Sequence, residues 1–218
     1  MNIGGALLAL TGLVSCQLSC ELTAAELIME DLTLALQAGP TAVEATVDNG
    51  SRTTTVDDGF AQAYGIRAGY RHGFTRPGGA LAPLLGLELT LNNGDFSDGS
   101  TDRRVGALVG PGIGWAVHDR CTVLLQAVIG AGLERTTLSS TSAYGAFTAD
   151  GWWWSRGLRA GALVDLDRTW LLGLEADYGA APGTVNGDGL QITLRPSGLA
   201  GALVLVWRMN AAPAVLEH

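Results

Sequence analysis

The chain has 218 residues, of which 47% are hydrophobic, and this is enough apolar material for one compact domain. It contains 31 glycines but only 13 Lys and Arg residues, and its mean hydropathy is positive. A soluble domain normally carries a more heavily charged surface. The net charge of −8 argues against a nucleic-acid partner, and no segment supplies the roughly 18 consecutive apolar residues of a membrane-spanning helix.

Residues 1–20 are typical of a secretory leader, because residues 3–10 form an apolar run that is too short to span a membrane. Residues 13–16 also resemble a lipoprotein processing box, and an ordinary mature N-terminal segment is the remaining alternative. The sequence thus divides into a leader (1–20), a lead-in (21–30), a folded domain (31–210) and a tail that resembles the start of a purification tag (211–218).

From about residue 31, apolar residues recur with period two in runs that polar Gly, Asn, Asp and Ser clusters separate. Such runs of about ten residues are typical of the strands of a transmembrane β-barrel. In residues 122–134 the apolar residues from Val123 to Leu133 face outward. In residues 105–117 glycines fall on the inward face, which suits a narrow barrel.

The same alternation predicts six further strands, at residues 32–37, 64–71, 81–91, 158–164, 170–178 and 191–195. In the last of these, Ile192 and Leu194 are expected to face lipid and Arg195 to face the lumen. The total is then eight antiparallel strands, and an even count returns both termini to one rim.

The connections between strands alternate in length. Residues 48–58, 92–102, 137–150 and 179–188 are predicted as long polar loops, whereas 118–120 and 165–168 are tight turns and 71–79 is of moderate length. In outer-membrane barrels the long loops lie on the extracellular side and the short turns on the periplasmic side. Aromatic residues predict two membrane-interface girdles, with Trp152, Trp153, Trp154 and Tyr178 at the long loops and Trp115, Trp170 and Trp207 at the short turns.

Residues 31–210 resemble the small outer-membrane barrels, such as the OmpA membrane domain, OmpX and OmpW. The segment 201–207 resembles their aromatic-ended last strand, which the barrel-assembly machinery reads, although Arg208, Met209 and Asn210 follow the aromatic residue here. The resemblance implies an eight-stranded, up-and-down transmembrane barrel in a bacterial outer membrane, with membrane lipids as partners. A soluble, lipocalin-like barrel is the rival fold, and it would need the leucine face of residues 81–91 to point inward.

Charged residues on the inward parity would share a confined lumen, where an unpaired charge is costly. They are Arg67, Arg71, Glu88, Glu134, Arg159, Glu175, Asp177 and Arg195. We expect them to pair as a network that plugs the lumen, because eight strands enclose little more than side chains. A narrow solute channel lined by the same residues is the alternative.

Four prolines are expected on the lipid-facing parity, with Pro83 opposite Pro111 and Pro40 close to Pro196. Because proline cannot donate a ladder hydrogen bond, facing pairs should weaken the barrel wall at two seams. The arrangement resembles the proline-lined lateral openings of the PagP acyltransferase barrel, and it suggests lateral access for a lipid or a small apolar molecule. The alternative is that each proline marks a β-bulge.

Catalysis is not expected, since His72 and His118 map to the short-turn rim, away from the outer rim where barrel enzymes act. With Cys16 and Cys20 in the leader, Cys121 stands alone, and no metal or other cofactor is predicted. The leading hypothesis is therefore a structural or surface-interaction barrel that contacts partners through its long loops. A narrow transporter or binder with lateral access comes second, and a lipid-modifying enzyme third.

Overall fold

A computed structural model describes residues 30–39, 42–74, 81–118, 120–142, 144–167 and 169–209, with the backbone alone for residues 56–58. The predicted leader, most of the lead-in and the tail lie outside these ranges. Ten strands form one antiparallel sheet: β1 (Glu30–Ala38), β2 (Ala42–Asp48), β3 (Thr53–Gly73), β4 (Leu81–Phe96), β5 (Thr101–His118), β6 (Cys121–Leu138), β7 (Phe147–Asp165), β8 (Trp170–Ala180), β9 (Gly183–Gly187) and β10 (Leu190–Arg208).

The ten strands make a ring of eight, because β2 continues β1 and β9 continues β8. The lower part of β10 pairs with β1 and β8, and its upper part pairs with β2 and β9. The interruption between β8 and β9 contains Pro182, which has no amide hydrogen to give to a ladder. The sheet is nevertheless held together there, since Trp154 N donates to Pro182 O at 3.0 Å and Ala181 N donates to Pro196 O at 2.9 Å. The predicted eight-stranded antiparallel barrel is confirmed.

The stagger of the strands fixes the width of the barrel. A circuit of paired residues that starts at residue 36 returns to the same composite strand at residue 46, ten positions further on. The circuit runs Leu36, Ile66, Leu91, Val105, Leu133, Trp152, Thr184, Thr193, Thr46. Eight strands with this stagger tilt by about 40°, and they enclose a space that side chains fill.

The outer wall carries a broad apolar band, interrupted by the exposed Arg156, whose guanidinium lies 5.4 Å from the centre of the Trp154 ring. Leucine side chains of the 81–91 face point outward, and Leu89 is 69% exposed, so the rival soluble barrel is wrong. In β6 the outward apolar residues run from Val123 to Leu133. At about 3.3 Å per residue and a tilt of about 40°, the ten steps between them give a band roughly 25 Å tall, the height of the apolar band on outer-membrane barrels.

The interior contains two apolar clusters at different heights. The lower plug consists of Ala35, Ala82, Leu84, Leu124, Leu163, Leu171, Ala202, Val204 and Val206, all buried. The upper plug lies where the strands extend beyond the apolar band, and it consists of Val43, Phe60, Ala149, Val185, Ile192 and Leu194. Burial of each leucine side chain contributes roughly 1.5–3 kcal/mol, so the packing of these side chains inside the barrel stabilises the fold.

The predicted long loops are mostly strand. In place of the loop at residues 48–58, β2 ends at Asp48 and β3 begins at Thr53, and β9 and β10 are joined by the two residues Asp188 and Gly189. Both of these have positive φ (47° and 76°), as the hairpin turn with two left-handed residues requires. Above the bilayer neither face of a strand needs to be apolar, so the alternation that reveals a strand disappears from the sequence.

The last strand was predicted with the wrong face outward. Ile192 and Leu194 are buried in the upper plug, not exposed to lipid. β10 keeps one parity from end to end, with Leu199, Leu203 and Trp207 outward. The even-numbered residues of β10 therefore face the lumen along the whole strand.

Candidate functional site

An ion network crosses the lumen between the two plugs. Arg67 donates to Glu88 at 3.0 Å and to Glu175 at 2.8 Å. Arg159 donates to Glu88 at 2.7 Å and to Asp177 at 2.6 Å. The guanidinium of Arg71 lies within hydrogen-bond distance of Glu88 and Glu175. Three arginines and three carboxylates thus alternate, and their formal charges cancel.

The network forms because four strands each place one or two charged side chains on the inner face at similar heights. β3 supplies Arg67 and Arg71, β4 supplies Glu88, and β7 and β8 supply the rest. All six side chains are buried except Asp177, which is one-quarter exposed. Charge-assisted and shared hydrogen bonds of this kind offset the desolvation of buried ions.

Arg195 was expected in this network, and that prediction is wrong. Its side chain lies on the outer face, more than half exposed, and pairs with Glu44 of β2 at 2.9 Å. The error follows from the parity of the last strand, which was shifted by one residue. A one-residue shift in a strand moves every side chain to the opposite face.

A second ion cluster lies higher in the lumen and includes two residues that sequence reasoning missed. Arg104 donates to Asp102 at 2.7 Å and to Glu134 at 2.6 Å, and it also contacts the carbonyl oxygen of Ala181. Thr136 donates to Asp102 at 3.2 Å. Only Glu134 was predicted inside. Asp102 had been assigned to a loop, although it shares the inward parity of Gly106 and would have been found by extending β5 upward.

Trp153 was predicted as a membrane-interface anchor, and this is wrong as well. It points into the barrel, is 3% exposed, and its indole Nε1 donates to Val105 O at 3.3 Å. A paired row explains why the indole fits: Gly106 lies opposite Gly132, and Gly132 lies opposite Trp153. A Cβ on Gly106 would lie 2.6 Å from the indole, so glycine is needed for this close approach.

A cavity of about 170 Å³ lies between the two ion clusters. Arg67, Arg159 and Asp177 line its lower side, and Phe60 and Trp153 line its upper side. Gln37 donates to Asn92 at 2.7 Å on one wall, and Leu108 and Val128 form part of another. Two buried polar atoms beside it, Arg67 Nε and Ser155 Oγ, have no hydrogen-bond partner in the described part of the chain.

The other predicted anchors point outward. Trp170 and Trp207 stack with ring centroids 6.3 Å apart near the short-turn rim, where Trp115 also lies on the outer face. At the opposite edge Trp152 and Trp154 are exposed. Tyr178 is exposed too, but it lies opposite Leu158 and Leu199, within the apolar band, because β9 extends the strand well beyond it.

The predicted proline seam between β4 and β5 is wrong. Pro83 pairs with Ile113 and Pro111 pairs with Leu85, so the two prolines are offset by two residues and the ladder runs unbroken through both. Pro111 lacks its amide donor on the side that faces β6, where the β5–β6 ladder skips residues 110 and 111.

The second predicted seam is only partly described, since Pro40 lies outside the described residues. Pro196 is buried, so its expected lipid-facing orientation is wrong. It pairs with Val43, and its carbonyl oxygen accepts from Ala181.

Neither a metal centre nor a membrane-spanning helix is found within the described ranges. No group of three or more His, Cys, Asp or Glu side chains is placed to hold a metal ion there. The described part of the chain likewise holds no helix with the length and hydropathy of a membrane span. His72 lies near the short-turn rim, 3.7 Å from Glu30, and His118 ends β5 at the same rim.

Comparisons with known proteins find solved structures that the chain resembles at low sequence identity. No protein-family model matches the chain, and no curated protein matches it either. Solved structures that it resembles include Ail, the attachment invasion locus protein of Yersinia pestis (10% identity, 82% of this chain and 99% of that one, TM-score 0.35). Neisserial surface protein A gives 11% identity, 82% and 97% coverage and a TM-score of 0.43. The outer-membrane protease OmpT of Escherichia coli gives 7% identity, 82% and 97% coverage and a TM-score of 0.42.

Proposed function

We propose that the protein is a bacterial outer-membrane barrel with a closed lumen, which acts through the outer surface of its extended strands and not by conducting solutes. The observation that carries this proposal is the filled interior. The lower plug, the ion network and the upper plug follow one another along the barrel axis, and their side chains are almost fully buried. A continuous water-filled pore would instead leave a file of exposed inward side chains among the described residues.

The membrane location is supported by the outer wall. An apolar band roughly 25 Å tall matches the hydrocarbon thickness that outer-membrane barrels span. Above the band, outward charges such as Arg103, Arg135 and Asp150 appear, and below it lie Trp115, Trp170 and Trp207. A band of this kind in water would be an exposed apolar patch far larger than soluble proteins carry.

The surface available to a partner differs from the one that the sequence suggested. Hairpins with short turns replace most of the long loops, so partners would meet a rigid polar wall built from β2, β9 and the upper parts of the other strands. The side chains that face outward on it include Glu44, Thr46 and Asp48. This supports recognition through a preformed surface, with little ordering of loops on binding.

Two measurements on the refolded protein test the proposal. Unheated samples should migrate differently from boiled ones on a gel, and the same preparation should give no steady conductance steps in a planar bilayer. Liposomes that contain the protein should not swell in small sugars. Steady conductance steps or rapid swelling would contradict a closed lumen and favour the narrow transporter.

A specific observation favours a second role as a small-molecule binder. The 170 Å³ cavity is lined by Arg67 and Arg159 on its lower side and by Asp102 and Arg104, together with Phe60 and Trp153, on its upper side. Arg67 Nε and Ser155 Oγ beside it have no hydrogen-bond partner among the described residues. A small molecule that carries polar groups on an apolar body would contact both kinds of lining. Native mass spectrometry of gently extracted protein should then show a retained adduct that Ser155→Leu, which fills the cavity, removes. An adduct on neither protein would contradict this second role.

A further inference from the structure

Two outward-facing rows of residues meet at the upper edge of the apolar band. The first row is apolar and consists of the paired residues Leu91, Val105, Leu133 and Trp152, all more than half exposed except Val105, which is 50% exposed. The second row lies one outward position higher and consists of Asn93, Arg103, Arg135 and Asp150. The outer surface therefore changes from apolar to charged over two residues, which is about 6.6 Å along a strand.

The charged row contains a repulsive contact. Arg103 of β5 lies directly opposite Arg135 of β6, and like charges at directly opposed positions of neighbouring strands are destabilising. Asp150 offsets part of this, since Arg135 donates to its carboxylate at 2.6 and 3.1 Å. Arg103 has no ion-pair partner among the described side chains. Within the described ranges, one exposed positive charge beside a second is thus left without a neutralising carboxylate.

The composition of the chain adds a second observation. All 13 of its Lys and Arg residues are arginine, even though the net charge is −8. Arginine presents a planar fork that matches a phosphate in two hydrogen bonds, which a lysine ammonium cannot do. Two neighbouring guanidinium groups on a flat sheet can share one phosphate between them, and the shared anion would turn their repulsion into attraction.

We propose that Arg103 and Arg135 bind a phosphate group of an anionic glycolipid in the outer leaflet, whose acyl chains lie along Val105, Leu133 and Trp152. An amphiphile carries its phosphate directly beside the sugar or glycerol that bears its acyl chains, so it matches a surface where an arginine row adjoins an apolar row. The proposal rests on the membrane location proposed above. It assigns a ligand to one face of the barrel and does not depend on whether the lumen conducts.

Asp150 competes with the phosphate for Arg135. The carboxylate holds the guanidinium through two hydrogen bonds, so the phosphate must displace it or share the remaining donors. Removing the charge of Asp150 should therefore strengthen lipid binding, a gain that a merely structural role for the ion pair would not give. The variant Asp150→Asn keeps the shape of the side chain and removes its charge.

The chain offers two matched controls. Arg52 is exposed in the turn between β2 and β3, far above the apolar band, and Arg52→Gln removes the same charge. Arg195 is exposed on the outer face of β10 and is already paired with Glu44, so Arg195→Gln removes an arginine with no second arginine opposite it. Neither residue belongs to the proposed site.

The experiment uses the full chain in phosphatidylcholine nanodiscs that contain diphosphoryl lipid A, with retained lipid counted by native mass spectrometry. Each of Arg103→Gln and Arg135→Gln should lower lipid retention about fivefold, as expected for one arginine near an anionic surface. Asp150→Asn should raise it, and the Arg52→Gln and Arg195→Gln controls should leave it unchanged. Leu133→Ser should also lower it, because the acyl chains would lose part of their surface.

The source of the phosphate is distinguished by competition. If the site holds a lipid, excess inorganic phosphate does not displace it and Leu133→Ser weakens it. If inorganic phosphate displaces the lipid fully and Leu133→Ser has no effect, the site binds free phosphate and the lipid assignment is wrong. Equal retention by the arginine variants and the controls would overturn the proposal. All variants should keep the gel shift of the folded barrel, whereas loss of that shift in the unaltered protein would refute the membrane location itself.

Discussion

Arg67 and Glu175 are 108 residues apart in the sequence, yet Nη2 of Arg67 lies 2.8 Å from Oε2 of Glu175 in the middle of the lumen. Glu175 also accepts from Arg71, and both partners are almost completely buried. The ring closure that joins β8 to β10 and β10 to β1 is what brings these strands face to face across so narrow an interior.

Neutralising Glu175 should destabilise the barrel strongly. The variant Glu175→Gln leaves three buried arginines with two carboxylates, and breaking a buried ion pair typically costs about 3–5 kcal/mol. The free energy of unfolding, measured in detergent micelles by urea titration, checks this. Arg195→Gln is the control: its exposed pair with Glu44 should be worth at most about 1 kcal/mol. Equal losses in the free energy of unfolding for the two variants would contradict the burial of Glu175 in an ion network.

Trp153 and Trp154 should report opposite environments. Trp153 is 3% exposed and faces the lumen, whereas Trp154 is 49% exposed on the lipid face. In variants that retain only one of the six tryptophans, brominated acyl chains should quench the fluorescence of Trp154 and leave that of Trp153 largely unchanged. Quenching of both to the same degree would contradict the inward orientation of Trp153.

The Gly106–Gly132 pair should not tolerate side chains. A Cβ on Gly132 would lie 2.0 Å from the carbonyl oxygen of Val105 and 2.5 Å from Gly106 Cα, so the backbone would have to move. Gly132→Ala should lower the free energy of unfolding by about 2 kcal/mol, as overpacking does. At Gly201 nothing lies within 4 Å of the added Cβ, so Gly201→Ala should be close to neutral. A similar loss at both positions would argue against the row that seats Trp153.

The Arg135–Asp150 pair should make stability depend on pH in acid. Hydrogen bonding by Arg135 lowers the pKa of Asp150 below its ordinary value. The contribution of the pair is therefore complete above the ordinary pKa of an aspartate and is lost as the pH falls through the lowered value. Both side chains are exposed, so the effect is small and salt reduces it. The difference in urea midpoint between the unaltered protein and Asp150→Asn should vanish in strong acid, and a difference that persisted there would contradict this assignment.

The sequence predicted the membrane-embedded part of the barrel well, because lipid on one side and a confined lumen on the other force strict alternation. Val123 to Leu133 in β6 and Leu81 to Leu91 in β4 face outward as expected. The inward charges Arg67, Arg71, Glu88, Glu134, Arg159, Glu175 and Asp177 were chosen by the same parity, and the structure places them inside.

Prediction failed where that constraint ends. Above the bilayer, strand residues such as Asp102 were predicted to lie in loops. The Asp102–Arg104–Glu134 cluster was therefore not predicted. Ile192 and Leu194 resemble lipid-facing residues by composition, yet they fill the upper plug, and only the register of β10 against β2 and β9 reveals this. Trp153 resembled an anchor because its neighbours are anchors. The glycines that seat it lie on two other strands.

The closed lumen is the central claim, and planar-bilayer conductance of the refolded, heat-modifiable protein tests it most directly. The filled interior predicts no steady conductance steps from a preparation in which the unheated and boiled forms migrate differently. Steady, reproducible steps from that same folded preparation would show that solutes pass the plugs and the ion network, and they would contradict the claim.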